Sequence, residues 1–382
     1  MEKNPLLVLE SLGQSVWLDY LGRGALKSGQ LRQLIEQDGL RGVTSNPAIF
    51  EKAIAESHDY DSSIQALARE DKSVAEIYQT ITVEDIQTAA DLFRPTYDRL
   101  EGRDGFVSLE VSPHLARDTQ GTITEARRLW KAVDRPNLFI KVPATREGLP
   151  AIRDLISQRI NVNITLIFGL PRYRQVADAY LTGLECLAAR PGHLPPVASV
   201  ASFFLSRIDV LVDPLLEKIM QAGGPRAELA RTLHGEVAIA SAKVAGRIYQ
   251  EIFSRDRFKA LAAKGAHPQK LLWASTSTKN PAYPDLKYVE PLIGPETINT
   301  MPLETLQAYR DHGQPALRLA EGASEAQGVL GHLAELEIDL DALTQQLEDE
   351  GIRKFNKPFD LLIQTLNRAR EAALRGRLSA RG

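Results

Sequence analysis

Short apolar runs alternate with longer stretches of helical apolar spacing along most of this chain. Eight of the short runs read as strands: 16–21, 42–46, 106–111, 138–142, 162–168, 197–203, 271–275 and 297–301. Amphipathic patterns lie between most of them. Residues 31–37 start after Ser28-Gly29 and stop before Asp38-Gly39. Residues 122–133 place Ile123, Ala126, Leu129, Trp130 and Val133 on one helical face, and 149–157 and 173–187 read the same way. A long helical tract with breaks covers 227–253. Residues 191–196 and 223–225 read as loops rather than domain linkers.

Strand–helix alternation predicts a parallel sheet under a layer of helices, and eight strands predict an α/β fold, the closed (β/α)8 TIM barrel. Two stretches exceed a minimal barrel. The polar helical segment at about 54–100 is inserted after strand 2, and the segment at about 303–382 forms a C-terminal helical extension. The whole chain, 1–382, reads as a single barrel domain with these additions.

The alternation within each strand says more. Residues two apart share a face. In the fourth strand Leu138, Ile140 and Val142 are apolar and face the helices, so Phe139 and Lys141 face inward. The same reasoning turns inward Trp17 and Asp19, Thr44 and Asn46, Ser108 and Glu110, then Asn161, Asn163 and Thr165, then Ala198, Val200 and Ser202. Polar or ionisable residues from neighbouring strands thus converge near the strands' C-terminal ends, where barrel active sites lie. One buried polar residue is commonly a satisfied structural group. A lysine and two acids among several such groups are too costly to bury without use.

Composition adds limits. The chain has 382 residues, is 43% hydrophobic and 25% charged, and carries a net charge of −3, which gives no support to a nucleic-acid surface. The single cysteine, Cys186, allows no intrachain disulfide and suits a reducing compartment. No apolar run approaches the ~20 residues of a membrane span, and residues 1–5 do not open a secretory leader. A cytoplasmic protein without membrane partners is expected, as monomer or homodimer.

Lys141 is the only Lys or Arg of the inward set. On its own strand the plainer reading, a strand-end lysine reaching back to water, has the larger claim. Its neighbours favour a nucleophile, because a desolvated lysine is partly a neutral amine able to form a Schiff base with a carbonyl. Dehydration of the carbinolamine needs an acid within reach, and Glu110 and Asp19 are the candidates. Asn46, Asn163, Thr165 and Ser202 are neutral hydrogen-bonding groups suited to a polyhydroxylated substrate. Arg207 follows the sixth strand and Lys279 follows the seventh in a hydroxyl-rich loop, a combination that suits phosphate; singly, each reads as a solvated loop charge. No dinucleotide fingerprint, Walker sequence or Gly-x-Ser-x-Gly elbow is present, and the scattered histidines predict no metal site.

Several segments together resemble the transaldolase family, in its longer bacterial subclass: Gly42-Val43-Thr44-Ser45-Asn46-Pro47, Ile140-Lys141-Val142-Pro143-Ala144-Thr145, the run 161–168, the loops 199–209 and 273–281, and Gly351-Ile352-Arg353-Lys354-Phe355. The resemblance implies that Lys141 forms a Schiff base with a ketose phosphate. It implies that Asp19 accepts a hydroxyl proton as C3–C4 breaks, and that Glu110, with a water held by Thr165, shuttles protons. Asn46 and Asn163 would hold the dihydroxyacetone unit with Ser202 nearby, and Arg207 and Lys279 the phosphate. Lys279 stands where other members carry arginine, a point charge in place of a fork. The implied reaction moves dihydroxyacetone from sedoheptulose 7-phosphate to glyceraldehyde 3-phosphate, in the non-oxidative pentose phosphate pathway. The imine serves as the electron sink, so no cofactor is implied, and the partners are small sugar phosphates. Two alternatives stand beside it. One is a fructose 6-phosphate aldolase, a smaller relative that has glutamine where Glu110 stands. The other is an inactive sugar-phosphate-binding barrel, which would have no need of Lys141, Asp19 and Glu110 together.

Overall fold

A computed structural model describes residues 4–190, 194 and 196–379. Most of the loop read at 191–196, and residues 1–3 of the N-terminal reading, lie outside them. Eight parallel strands form a closed barrel in chain order, with the last strand hydrogen-bonded to the first. They are β1 (Gln14–Leu18), β2 (Gly42–Thr44), β3 (Phe106–Glu110), β4 (Leu138–Pro143), β5 (Val162–Ile167), β6 (Ser199–Phe204), β7 (Lys270–Ala274) and β8 (Thr297–Met301). This is the predicted TIM barrel.

The helices follow the strands. A short α1 (Pro5–Ser11) precedes β1, and α2 (Arg23–Lys27) and α3 (Gln30–Gln37) lead to β2. Asn46 then caps α4 (Pro47–Ala55), with Pro47 in the first turn. Next come α5 (Asp61–Arg69) and α6 (Val74–Arg99), the latter opened by a Ser73/Glu76 capping box. α7 (Thr119–Val133), α8 (Gly148–Ser157) and α9 (Leu170–Ala188) separate β3 to β6. Between β6 and β7 lie α10 (Ser206–Ala222), α11 (Pro225–Leu233), α12 (Val237–Phe253) and α13 (Asp256–Ala262). After β8 come α14 (Leu303–His312), α15 (Ala323–Glu335) and the long α16 (Leu340–Ser379). α16 packs on α4, α5 and α6. Among the described residues no helix is long and apolar enough to cross a membrane.

The structure refines the sequence reading at three points. β1 begins at Gln14 and ends at Leu18, because its ladder with β8 runs from Gln14–Thr297 to Leu18–Met301. Asp19 is therefore just past the strand. The tract 227–253 breaks at His234–Glu236, where Gly235 takes φ +76°. In β5 the pairing with β6 shifts between Ile164 and Ile167, and Leu166 has φ +60°. This bulge interrupts simple alternation one residue beyond Thr165.

Inside the barrel the rings of Trp17, Phe106 and Phe139 form a layer, with centroids 6.5, 6.1 and 4.2 Å apart. Gly42 makes room for it: a Cβ there would lie 2.4 Å from Cδ2 and Cε2 of Trp17. The layer divides the interior into an upper, polar half at the strands' C-terminal ends and a lower half at their N-terminal ends.

Candidate active site

Strand register brings the upper half together. Glu110 pairs with Lys141 and Lys141 with Asn163 across three adjacent strands. Lys141 is only 4% exposed. Its Nζ donates to the carbonyl of Ser45 at 3.2 Å and lies 3.4 Å from Oε2 of Glu110, an ion-pair distance. Burial pushes the Glu110 carboxyl up to about 7; the Lys141 ammonium opposes this and Asp19 adds to it. A group so placed exchanges protons readily at neutral pH.

Asp19 is anchored by its amide, which donates to Met301 O at 2.8 Å. Its Oδ1 accepts from Thr44 Oγ1 at 2.7 Å, and that hydroxyl lies 2.8 Å from Thr300 Oγ1. The Asn46 Oδ1 caps α4 by accepting from the amide of Ile49, so its amino group is turned to other use. Thr165 Oγ1 is buried, with no hydrogen-bond partner among the described residues. Ser202 donates to Asn163 Oδ1 at 2.7 Å, and Asn163 donates to Ser108 at 3.0 Å. Arg207 enters at the start of α10, its guanidinium 5.6 Å from the centre of the Phe204 ring. Lys279 Nζ donates to Ser277 Oγ at 2.6 Å.

A cavity of about 180 Å³ opens among these groups. An amine, two carboxyls of different environment and two cations around one small cavity suit covalent chemistry on a phosphorylated carbonyl compound. The family model described as transaldolase/fructose-6-phosphate aldolase matches residues 16–366. The chain belongs to this family. It is 48% identical over 370 residues to the transaldolase of Trichodesmium erythraeum, covering 96% of this chain and 97% of that one. It is 49% identical over 352 residues to the transaldolase of Thiobacillus denitrificans, covering 92% and 96%. With transaldolase 2 of a Nostoc strain the identity is 45% over 371 residues, covering 96% and 97%.

Against this transaldolase-family background the candidates divide cleanly. Asp19, Asn46, Lys141, Thr165, Ser202, Arg207 and Lys279 line the cavity. Glu110 stands behind Lys141, and Asn163 behind Ser202; neither lines it. Asn161, inward by phase, lies at the opposite end of the barrel, where it bonds Pro136 O, Leu138 O and the amide of Ala198.

The sequence reading assigned no part to Phe204, Thr300 or Phe355, which also line the cavity, as does Ser277 of the hydroxyl-rich loop. Phe204 continues the inward phase of Ser202, and ending the strand at 203 concealed it. Phe355 comes from α16, with its ring centre 5.8 Å from Lys141 Nζ. Helical spacing could show that Phe355 is apolar but not where its helix docks.

Proposed function

We propose that this protein is a transaldolase that moves a dihydroxyacetone unit from sedoheptulose 7-phosphate to glyceraldehyde 3-phosphate, giving erythrose 4-phosphate and fructose 6-phosphate. The observation that carries the reading is the convergence of Lys141, Glu110 and Asp19 beside one small cavity.

Lys141 Nζ attacks the ketose C2 carbonyl and forms a carbinolamine. Glu110 returns a proton to the departing hydroxyl, and water leaves the protonated imine. Thr165, its hydroxyl without a partner among the described residues, holds a separate water through which Glu110 passes these protons. Asp19 takes the proton of the C4 hydroxyl as the C3–C4 bond breaks, and the electron pair passes into the imine to give an enamine. The aldose phosphate leaves, the acceptor aldehyde enters, and the steps run in reverse. Arg207 and Lys279 hold the phosphate at the far end of the cavity from Lys141. Asn46, Asn163 and Ser202 hold the hydroxyls of the dihydroxyacetone unit, Asn163 through Ser202. Phe355 covers the amine. No cofactor enters these steps. The pentose phosphate pathway is the setting this reaction implies, and the single cysteine fits the cytosol. Glu110 favours transfer over the release of free dihydroxyacetone by fructose 6-phosphate aldolases.

Borohydride reduction in the presence of fructose 6-phosphate, followed by peptide mass mapping, tests the covalent step. The expected adduct is dihydroxyacetone-derived and on the peptide holding Lys141. Lys141→Ala and Lys141→Arg should lose both adduct and turnover while keeping the circular dichroism of the parent. Turnover surviving in either variant removes the Schiff-base assignment. Adding erythrose 4-phosphate to unreduced enzyme then separates transfer, which yields sedoheptulose 7-phosphate, from release.

A further inference from the structure

One face of α16 is docked along the end of β5 and the connection that follows it. Thr344, Glu348, Gly351 and Phe355 are spaced three or four residues apart, so they share that face, and all four are buried. Gly169 meets Thr344 without a side chain: a Cβ there would lie 2.7 Å from Thr344 Oγ1. Arg172, in the first turn of α9, pairs with Glu348 at 2.9 Å. Gly351 lies against Leu166, whose Cδ2 would be 2.9 Å from an added Cβ. One helical turn further on, Phe355 reaches the cavity with its ring centre 5.8 Å from Lys141 Nζ.

Leu166 is itself held in an uncommon conformation. It follows Thr165, whose side chain lines the cavity, and takes φ +60° at the bulge in β5. A bulky side chain keeps left-handed backbone only where its surroundings fix it, and such strain gathers at functional sites. Here the surroundings include the face of α16, which comes close because Gly351 has no Cβ. Phe355 is only 5% exposed. Among the described residues it is the one lining group supplied by the C-terminal extension; the others come from the strands and from the connections and first helical turns that follow them.

The inference rests on the transaldolase reading. There, departure of the first aldose phosphate leaves an enamine of dihydroxyacetone on Lys141, which has two fates. In transfer, C3 attacks the acceptor aldehyde. In release, C3 takes a proton from solvent, C2 of the resulting imine takes water, and the C2–N bond breaks to give free dihydroxyacetone and the Lys141 amine. Release thus needs solvent at the enamine in the interval when no aldehyde is bound, and an apolar cover beside the amine denies it. We propose that Phe355, seated by the contact between Leu166 and Gly351, keeps the dihydroxyacetone unit on Lys141 between the two halves of the reaction and so sets the ratio of transfer to release.

Two rates on the full chain test this. Free dihydroxyacetone is measured with fructose 6-phosphate alone, and sedoheptulose 7-phosphate with erythrose 4-phosphate added. Phe355→Ala should raise the ratio of release to transfer at least about tenfold, and Phe355→Leu, which keeps apolar bulk, should stay within about threefold of the parent. Gly351→Ala leaves the ring in place but forces α16 away from Leu166, and should raise the ratio in the same direction. General loss of structure would lower both rates and leave the ratio alone. A parent ratio in Phe355→Ala or in Gly351→Ala, whether the two rates hold or fall together, overturns the proposal while the transaldolase reading stands. A parent that forms no sedoheptulose 7-phosphate overturns that reading and the proposal with it.

Discussion

Glu110 is the residue on which pH should act most directly. Burial holds its carboxyl at about 7 in the fold, against 4.5 for the free group. Between those values the folded chain keeps a proton that the unfolded chain has released, so its contribution to stability falls as pH rises through that window. Glutamine mimics the protonated form throughout. The melting temperature of Glu110→Gln relative to the parent should therefore climb between about pH 5 and pH 7 and level off above, as scanning calorimetry can measure. The same titration should appear as an inflection near pH 7 in kcat/KM, absent from the variant. A flat difference in melting temperature would mean that Glu110 titrates in its ordinary range. Gly42 is sensitive for a different reason. An added Cβ meets the Trp17 ring at 2.4 Å, so Gly42→Ala should cost about 1–3 kcal/mol in chemical denaturation through overpacking of the ring layer.

At the scale of elements, α10 and the connection between β7 and β8 are bound by two matching contacts. Tyr283 OH donates to Asp213 at 2.7 Å and Tyr288 OH to Asp209 at 2.8 Å. The other oxygens of the two acids accept from the amides of Gly235 and Ala238, at the break between α11 and α12. Burial raises the Asp209 carboxyl to about 6, with neighbouring Asp213 adding to the effect. Arg207 lies in the first turn of α10, and the β7–β8 connection carries Lys279. Arg207 and Lys279, the cations proposed to hold the phosphate, thus sit on elements joined by these Tyr–Asp bonds. Tyr288→Phe keeps the ring and removes one donor. It should raise KM for fructose 6-phosphate about threefold to tenfold, in keeping with the ~0.5–1.5 kcal/mol net worth of one hydrogen bond, and leave kcat nearly unchanged. Steady-state kinetics checks this, and a fall in kcat alone would separate the contact from phosphate binding.

At the scale of the molecule, α16 returns over the barrel to place Phe355 at the cavity. Leu347, Ile352, Phe355, Leu362 and Leu366 are buried along it. Polar ties reinforce the docking: Arg172 with Glu348 at 2.9 Å, Arg117 with Asp349 at 2.6 Å, and His114 with Asp360 at 2.8 Å. Among the described residues the last buried one is Leu366. Amide exchange should therefore be slow over about residues 345–366, approaching the barrel strands, and faster beyond, because protection follows burial and tertiary contact. Uniform fast exchange over the whole helix would show that Phe355 does not cover the cavity in solution.

The sequence by itself determined the barrel and most of its inward residues. Eight β-rich runs separated by helical spacing leave few arrangements, and alternation in β3, β4 and β6 turns Glu110, Lys141 and Ser202 inward because their neighbours must face the helices. Tertiary structure decided what periodicity cannot encode. The closure of β8 on β1 sets where β1 ends, and so places Asp19 on the connection after it. The bulge in β5 ends its alternation just past Thr165, which spacing alone does not record. The burial that raises Glu110 depends on every group around it, not on its own strand. Phe355 is brought near Lys141 by long-range packing of α16, which no local pattern records. Local spacing fixes which face a side chain takes, because backbone geometry is local; which groups meet across the barrel is set by contacts between residues far apart in the chain.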